Sequence, residues 1–437
     1  PAAVRRVRTM ESPVIVGGVR TPFVKAAGAF NYVPAQELGR LAVRELLERL
    51  NLDPDAIDEV ITGNVAPSDA PNVSRVIALR AGIPIDRVAH TVNRNCASGL
   101  EAVTQAYERI RTGQAQAVIA VGVDSMSNIP VLWTKSLTDD FLEFSTAKTA
   151  WNKIRALARV RPRDLAPVIG IKQGLTDPVS GMMMGDTAEK LARQYGISRE
   201  AQDLFALRSH QRATAAWTEG RLKDEVMTVY PEKSKGAVER DVGPRENQSL
   251  EALSKLKPFF DRRWGTVTVG NSCQVTDGAV ALLLMNEDRA RSLGLPKLGR
   301  LRGYAYAGCE PSVMGLGPVY SSNRVLKATG VQMSQLDLIE INEAFAAQVL
   351  ACLRCFESPP AACIGTDGAS VLGPIDETRL NVNGGAIALG HPVGASGARL
   401  VLTLLNELGR RKQTLGLATM CVGGGQGGAA IIERIAD

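Results

Sequence analysis

Residues 88–123, VAHTVNRNCASGLEAVTQAYERIRTGQAQAVIAVGV, decide the fold. Val88–Val92 reads as a strand that feeds a helix starting near Cys96 and ending at Thr112-Gly113. Ala117–Val123 then runs as a continuous apolar strand, the pattern of a sheet buried on both faces. Residues 394–420, GASGARLVLTLLNELGRRKQTLGLATM, repeat the theme. There Leu400, Val401, Leu404, Leu405 and Leu408 keep helical core spacing. Arg410-Arg411-Lys412 place positive charge at the helix C-terminus, and Leu415–Met420 is the next strand. Ser98-Gly99 and Ser396-Gly397 hold corresponding places near the two helix starts. The spacing between the units is far too large for a solenoid, so it predicts two similar α/β halves packed together.

Working outward, Val14-Ile15-Val16 predicts a first strand and Ala35–Leu50 an amphipathic helix. Val60-Ile61 starts a short strand running into Gly63-Asn64, and Ile431-Ile432 lie in the last one. Residues 128–271 differ: they are polar and irregular, with helical stretches near Thr187–Tyr195 and Glu200–Glu219. Lys153, Arg155, Arg159, Arg161 and Arg163 crowd one part of that segment. It reads as an inserted loop domain covering a site between the halves, or else as a surface insertion. The predicted boundaries are 1–127 with 274–296 for the first half, 128–273 for the loop domain and 297–437 for the second half.

The 437 residues are 45% hydrophobic and 22% charged, which excludes a disordered or collagen-like chain. No apolar run approaches the roughly 20 residues of a membrane-spanning helix. A net charge of +6 is too mild and too dispersed to predict nucleic-acid binding; it suits an anionic small ligand. Seven cysteines, an odd number, predict a reducing compartment. Arg5-Arg6-Val7-Arg8 lacks the apolar stretch of a signal peptide, and Ile435-Ala436-Asp437 is no peroxisomal tripeptide. The expected location is the cytoplasm, or the mitochondrial matrix in a eukaryote.

Cys96, in Asn95-Cys96-Ala97-Ser98-Gly99, stands between a strand and a helix N-terminus. The helix dipole and free N–H groups there favour a thiolate nucleophile, although cysteine is equally a common buried packing residue. A nucleophile needs a base, and the chain has three histidines. His90 lies inside a strand and reads as structural, and His210 lies on a helix of the polar insertion and reads as solvated. His391, held in Gly390-His391-Pro392-Val393-Gly394, is left as the base.

Cys421 ends a strand, and Gly423-Gly424-Gly425 after it bring backbone N–H donors close to a substrate, as in an oxyanion hole. A dinucleotide loop there lacks both the following helix and a ribose-binding acid. A redox pair of Cys96 and Cys421 stays open. Asn342-Glu343 follows the apolar strand Leu336–Ile341; Asn342 can orient a water or carbonyl, or else cap a helix. Cys352, Cys355 and Cys363 have partial zinc spacing without a fourth ligand, so no metal site is expected. Met182-Met183-Met184 can line a flexible acyl pocket or simply fill the core.

In this order the motifs resemble the thiolase family over nearly the whole chain. Val19-Arg20-Thr21-Pro22-Phe23 resembles its opening signature, Asn95–Gly99 its nucleophile motif and Asp124-Ser125-Met126-Ser127 the segment after it. Gly185–Glu189, Phe205–His210, and Gly265–Thr268 through Asp277–Ala279 resemble loop-domain and return-strand signatures. Asn342–Phe345, Gly390–Pro392 and Cys421–Gly425 resemble the remaining catalytic blocks. The resemblance implies an α/β fold in five layers, α-β-α-β-α, built from two duplicated halves plus the loop domain.

It also implies thiolytic cleavage of 3-ketoacyl-CoA by CoA, with no metal or redox cofactor and coenzyme A as a substrate. Cys96 would carry the acyl group, and His391 would activate first Cys96 and then the CoA thiol. Cys421 would exchange a proton with the α-carbon, while Asn342 (through a water) and His391 stabilise the enolate. The N–H groups of Cys96 and Gly423 would form a second oxyanion hole. Arg245 falls where the family has an arginine near the CoA phosphates. Cys273 stands where many relatives have serine or threonine on the pantetheine arm.

The long 128–180 insertion resembles β-subunits of fatty-acid oxidation complexes, as does Leu316-Gly317-Pro318-Val319-Tyr320. That implies a hydratase/dehydrogenase α-subunit and peripheral membrane contact as candidate partners. Many of those β-subunits have histidine at the place of Asn342, so chain-length preference stays open. A homodimer or dimer of dimers is implied as well. The competing readings are biosynthetic acetoacetyl-CoA formation and, from another class, a non-catalytic acyl-CoA-binding subunit.

Overall fold

The computed structural model describes residues 13–435, except 67, 69, 131, 166–173, 234, 235 and 367. The basic stretch at 5–8 and part of the 128–180 insertion therefore lie outside the described residues. The first half carries strands β1 (Pro13–Arg20), β2 (Val24–Lys25), β3 (Glu59–Gly63), β4 (Val88–Val92), β5 (Ala117–Asp124) and β6 (Thr276–Asn286). The second carries β7 (Gly299–Gly308), β8 (Leu338–Ile341), β9 (Leu415–Val422) and β10 (Gln426–Arg434). The sheet order is β4-β3-β5-β6-β1-β7-β10-β9-β8, with β2 pairing to β6 off this path.

Read outward from the β1/β7 seam, β1-β6-β5-β3 matches β7-β10-β9-β8, which is the duplication expected from the two quoted stretches. In each half the outer pair is parallel (β3 with β5, β8 with β9) and the next is antiparallel (β5 with β6, β9 with β10). The seam rests on one residue pair, Ile15 opposite Gly299.

Alternation along the strands splits the core into separate layers. Val14 and Val16 of β1 pack outward with Leu38 and Leu46 of α1 (Ala35–Arg49) and Ile77 of α2 (Val73–Ala81). Ile15 packs inward with Leu100 and Val103 of α3 (Ser98–Arg111). In the second half Ile432 faces that same inner layer, joined by Leu400 and Leu404 of the 19-residue helix Val393–Arg411. Ile431 faces the other way, onto Val325 of Gly317–Thr329 and Val349 of Ala346–Glu357. The result is five layers, α-β-α-β-α, as expected.

The segment between β5 and β6 contributes α4 (Lys135–Thr146), α5 (Ala150–Arg159), α6 (Met184–Gln194) and α7 (Arg199–Thr218). Leu191 of α6 and Phe205 of α7 join the outer core of the second half, and Met227 and Val229 join that of the first. This segment thus leans on both halves. By contrast, α4 and α5 leave Phe141, Leu142, Trp151, Ile154 and Leu157 exposed, Trp151 at 71%. No helix among the described residues is long and apolar enough to cross a membrane.

For the later helices we use α8 (Gly317–Thr329), α9 (Ala346–Glu357) and α10 (Val393–Arg411). α3 and α10 meet near their N-terminal ends, backbone against backbone. A Cβ on Gly99 would sit 2.6 Å from the Gly394 carbonyl oxygen, and one on Gly397 only 2.4 Å from the Leu100 nitrogen. Only glycine permits that approach. It brings the loop before each helix, one carrying Cys96 and the other His391, to the same place.

Candidate active site

The two halves are tied at this point by Asp124, the acid that ends the otherwise apolar β5. Its carboxylate accepts from the Asn64 amide (2.7 Å), the N–H groups of Val65 (3.0 Å) and Ala66 (2.9 Å), and the Gly394 N–H at the start of α10 (2.6 Å). Burial pushes Asp124 up to about 6 against these donors, so it is ionised at neutral pH.

Cys96 is half-buried two residues before α3. Burial raises its thiol above the ordinary 9.0; N–H groups of Gly423 and of Cys96 itself pull it down, and the Asp124 charge raises it further. Burial thus opposes the helix-terminal donors that favour a thiolate. The Cys96 sulfur faces the Gly423 N–H.

His391 is buried, and its N–H donates to the Gln274 carbonyl (3.1 Å), next to Cys273. Nδ1 lies 2.5 Å from Ser396 Oγ, which is also 3.0 Å from the Pro392 carbonyl. With the serine proton on that carbonyl, Nδ1 keeps its hydrogen and Nε2 carries the lone pair. Nε2 is buried with no hydrogen-bond partner. Burial, then the Arg399 charge, lower the imidazole to about 4, so it is neutral at physiological pH and able to take a proton.

Cys421 is 1% exposed at the end of β9. Burial raises its thiol well above the ordinary value, followed by the charges of Cys96, Cys352 and Cys273. Cys273 is pushed up to about 12 by burial and then by Cys96. The three sulfurs of Cys96, Cys273 and Cys421 thus lie within electrostatic reach of one another, and all seven cysteines are free thiols.

Asn342 follows β8, its N–H on the Thr419 carbonyl two residues before Cys421 (3.0 Å). Both its side-chain atoms are fully buried and unpartnered. It caps no helix, since α9 begins at Ala346 behind Phe345. Neighbouring Glu343 is instead fully engaged, accepting from Ser209 Oγ (2.6 Å), the Asn381 amide (2.8 Å) and the Ile387 N–H (3.2 Å). Unpaired buried amide atoms are costly unless a substrate oxygen or a water meets them.

Other expectations change. Met184, rather than Met182, approaches the glycine loop: its sulfur lies 3.5 Å from where a Gly423 Cβ would be. Met182 is half-buried, and its carbonyl accepts the Asp177 N–H (2.9 Å). His210 is buried, not solvated, because its Nδ1 accepts the Arg245 N–H (3.2 Å) under the covering loop. Burial and then the Arg245 charge lower it to about 4. The Arg245 residue itself is exposed at the surface. His90 bonds Glu59 and Gln105, both at 3.0 Å, and is engaged there. Cys352 and Cys355 are buried in the packed face of α9, Cys352 against the Gly315 carbonyl (3.1 Å). Among the described residues no group of three metal-ligating side chains converges.

Sequence analysis placed Ser396, Asp124 and Asn95 in motifs but gave them no role of their own. An acid closing an all-apolar strand was the signal for Asp124; Ser396 and Asn95 act through contacts that spacing does not encode. One consequence is measurable: alkylation of Cys96 by iodoacetamide, followed against pH over a Cys96→Ala background, should rise with a midpoint above 9. A midpoint near 7 would mean a preformed thiolate–imidazolium pair and refute this charge state.

Two family models match the chain: thiolase, N-terminal domain, over residues 13–288, and thiolase, C-terminal domain, over residues 295–434. A 3-ketoacyl-CoA thiolase of Pectobacterium carotovorum subsp. carotovorum (strain PC1) is 44% identical over 421 residues, 96% of this chain and 95% of that protein. The crystal structure of the Bacillus anthracis acetyl-CoA acetyltransferase superposes with TM-score 0.85 at 35% identity, covering 98% of this chain and 100% of the other. Human mitochondrial 3-ketoacyl-CoA thiolase in complex with CoA superposes with TM-score 0.84 at 34% identity, covering 98% and 99%.

Proposed function

The chain belongs to the thiolase family, and on that premise we propose that it is an acyltransferase that cleaves 3-ketoacyl-CoA with CoA into acetyl-CoA and an acyl-CoA two carbons shorter. What supports this reading is that Cys421 lies within electrostatic reach of Cys96, that glycine contacts bring the loops carrying Cys96 and His391 together, and that His391 Nε2 and the Asn342 amide are buried and unpartnered.

In the first half-reaction the Cys96 sulfur bonds to the 3-keto carbon while its proton passes to His391 Nε2. The bond between carbons 2 and 3 breaks, its electron pair leaving as the acetyl-CoA enolate. Asn342 and His391 steady the enolate oxygen, and Cys421, held protonated by burial, delivers a proton to carbon 2. A proton from imidazolium to the Cys421 thiolate resets both groups. The incoming CoA thiol then gives its proton to His391, its sulfur attacks the Cys96 thioester, and that proton returns to Cys96. The N–H groups of Gly423 and Cys96 stabilise the tetrahedral oxyanions formed on the acyl carbon. Electrons move only in pairs between carbon, oxygen and sulfur, so the proposal needs no redox cofactor or metal; CoA is a substrate. Condensation of two acetyl-CoA molecules is the same path reversed.

For CoA itself we propose contacts from Arg245, exposed at the surface, and Cys273, beside the sulfurs; Met184 joins Met182 as a candidate for the acyl pocket. We propose a homodimer or dimer of dimers: β4 is an outer strand of the sheet and leaves Val88 62% exposed. The apolar and basic face of α4 and α5, with Trp151, Ile154, Lys153 and Arg155, supports a proposed contact with a β-oxidation α-subunit or a membrane surface. The proposed compartment is the cytoplasm, or the matrix if the source is eukaryotic.

CoA-dependent loss of a four-carbon and a long-chain 3-ketoacyl-CoA tests the reading. The long chain is expected to turn over several-fold faster. Activity confined to acetoacetyl-CoA would favour the biosynthetic role, and no activity on either substrate would favour a binding subunit.

A further inference from the structure

We propose that Asn95 is a positioning residue that holds the Gly423 carbonyl, restricts the Gly423 backbone torsions, and through them aims the Gly423 N–H of the oxyanion hole facing Cys96. The proposal rests on the reading of Cys96 as the nucleophile. Asn95 has φ +45°, a left-handed backbone that side chains other than glycine adopt rarely and asparagine tolerates best. Glycine would satisfy that backbone at less strain. What asparagine adds is its amide, whose Nδ2 donates to the Gly423 carbonyl at 2.8 Å.

Both sides of this contact favour a positioning role. The Asn95 backbone is clamped: its N–H donates to Asn93 Oδ1 (2.9 Å), and its carbonyl accepts from Ser98 Oγ (2.7 Å). Arg94 before it is held by Glu101 (2.7 Å) and stacks on the Tyr306 ring, 4.0 Å from its centroid. The partner loop is three successive glycines, with Gly424 at φ +86° and Gly425 at φ +80°. Its far end is pinned by the Cys309 N–H on the Gly425 carbonyl (2.8 Å), and its near end by Asn95. The pinned carbonyl lies in the Gly423–Gly424 peptide and the Gly423 N–H in the peptide before it. Without the Asn95 contact the two Gly423 torsions that link these planes are unrestrained from that side, and the N–H points at Cys96 for only part of the time. The residue before the nucleophile therefore joins the two halves of the molecule and gauges the donor that the acyl carbon needs.

Two variants separate this from a structural role. Asn95→Gly keeps the left-handed backbone and removes the amide; Asn95→Asp keeps size and φ tolerance but turns an acceptor toward the Gly423 carbonyl. Two rates are measured in each: single-turnover acetylation of the enzyme by acetyl-CoA, which needs the oxyanion hole, and the high-pH limit of iodoacetamide alkylation, which does not. Acetylation should fall about tenfold or more in both variants, a fraction of what losing an oxyanion donor outright removes. Limiting alkylation should stay within about twofold, since that displacement builds no oxyanion. Unchanged acetylation in Asn95→Gly, or an equal fall in both rates, overturns the proposal. Acetylation that survives in Cys96→Ala overturns the nucleophile reading instead.

Discussion

Replacing Cys96 by alanine should reduce CoA-dependent cleavage by about 10⁴-fold or more, the scale seen when a covalent nucleophile is removed from a group that acts as a unit. The substitution removes a half-buried sulfur from a loop end, not from the core, so the thermal midpoint should move little. Steady-state turnover and thermal unfolding on the same preparation check both halves of this statement. Retained turnover would end the assignment of Cys96 as nucleophile. A collapse of the midpoint would mean that lost activity reports unfolding.

The Cys421→Ser change should divide the reaction. Cys421 is buried, protonated and close to Cys96, which suits an acid for the α-carbon and not an acyl carrier. Serine keeps the hydrogen-bonding shape but exchanges protons with carbon far less readily. Acetylation of Cys96 by acetyl-CoA should therefore stay within a few-fold of the parent, while cleavage of 3-ketoacyl-CoA falls roughly 10²–10⁴-fold, the range for a positioned general acid–base. Rapid quench of the acetyl-enzyme, run beside steady-state thiolysis, measures the two together. An equal loss in both would remove the specific proton-transfer role.

The strand–helix–strand unit at 88–123 and the helix–strand unit at 394–420 were readable because continuous apolar strands and helical leucine spacing are local signals. Cys96, His391 and Cys421 stood out because each ends or opens an element beside glycine. The errors have one physical source: solvation is not a local property. His210 looked solvated on a polar helix, yet the loop carrying Arg245 covers it. At Cys96 the helix-terminal donors were legible in the sequence, but the burial that opposes them was not. Met182 and Met184 are indistinguishable in a run of three, and only the packing of α6 decides which sulfur reaches Gly423.

By itself, then, the amino-acid order determined the α/β class, the duplication and the chemical identity of the groups, because hydrophobic period and residue type act over a few neighbours. Tertiary structure alone decided which of those groups share a site and in what charge state. The glycine contacts between α3 and α10 and the Asp124 tie across the halves join residues far apart in the chain, and the same packing buries His391 Nε2 and the Asn342 amide without a partner. Desolvation and hydrogen-bond partnership depend on everything packed around a group, so they exist only once the chain has folded.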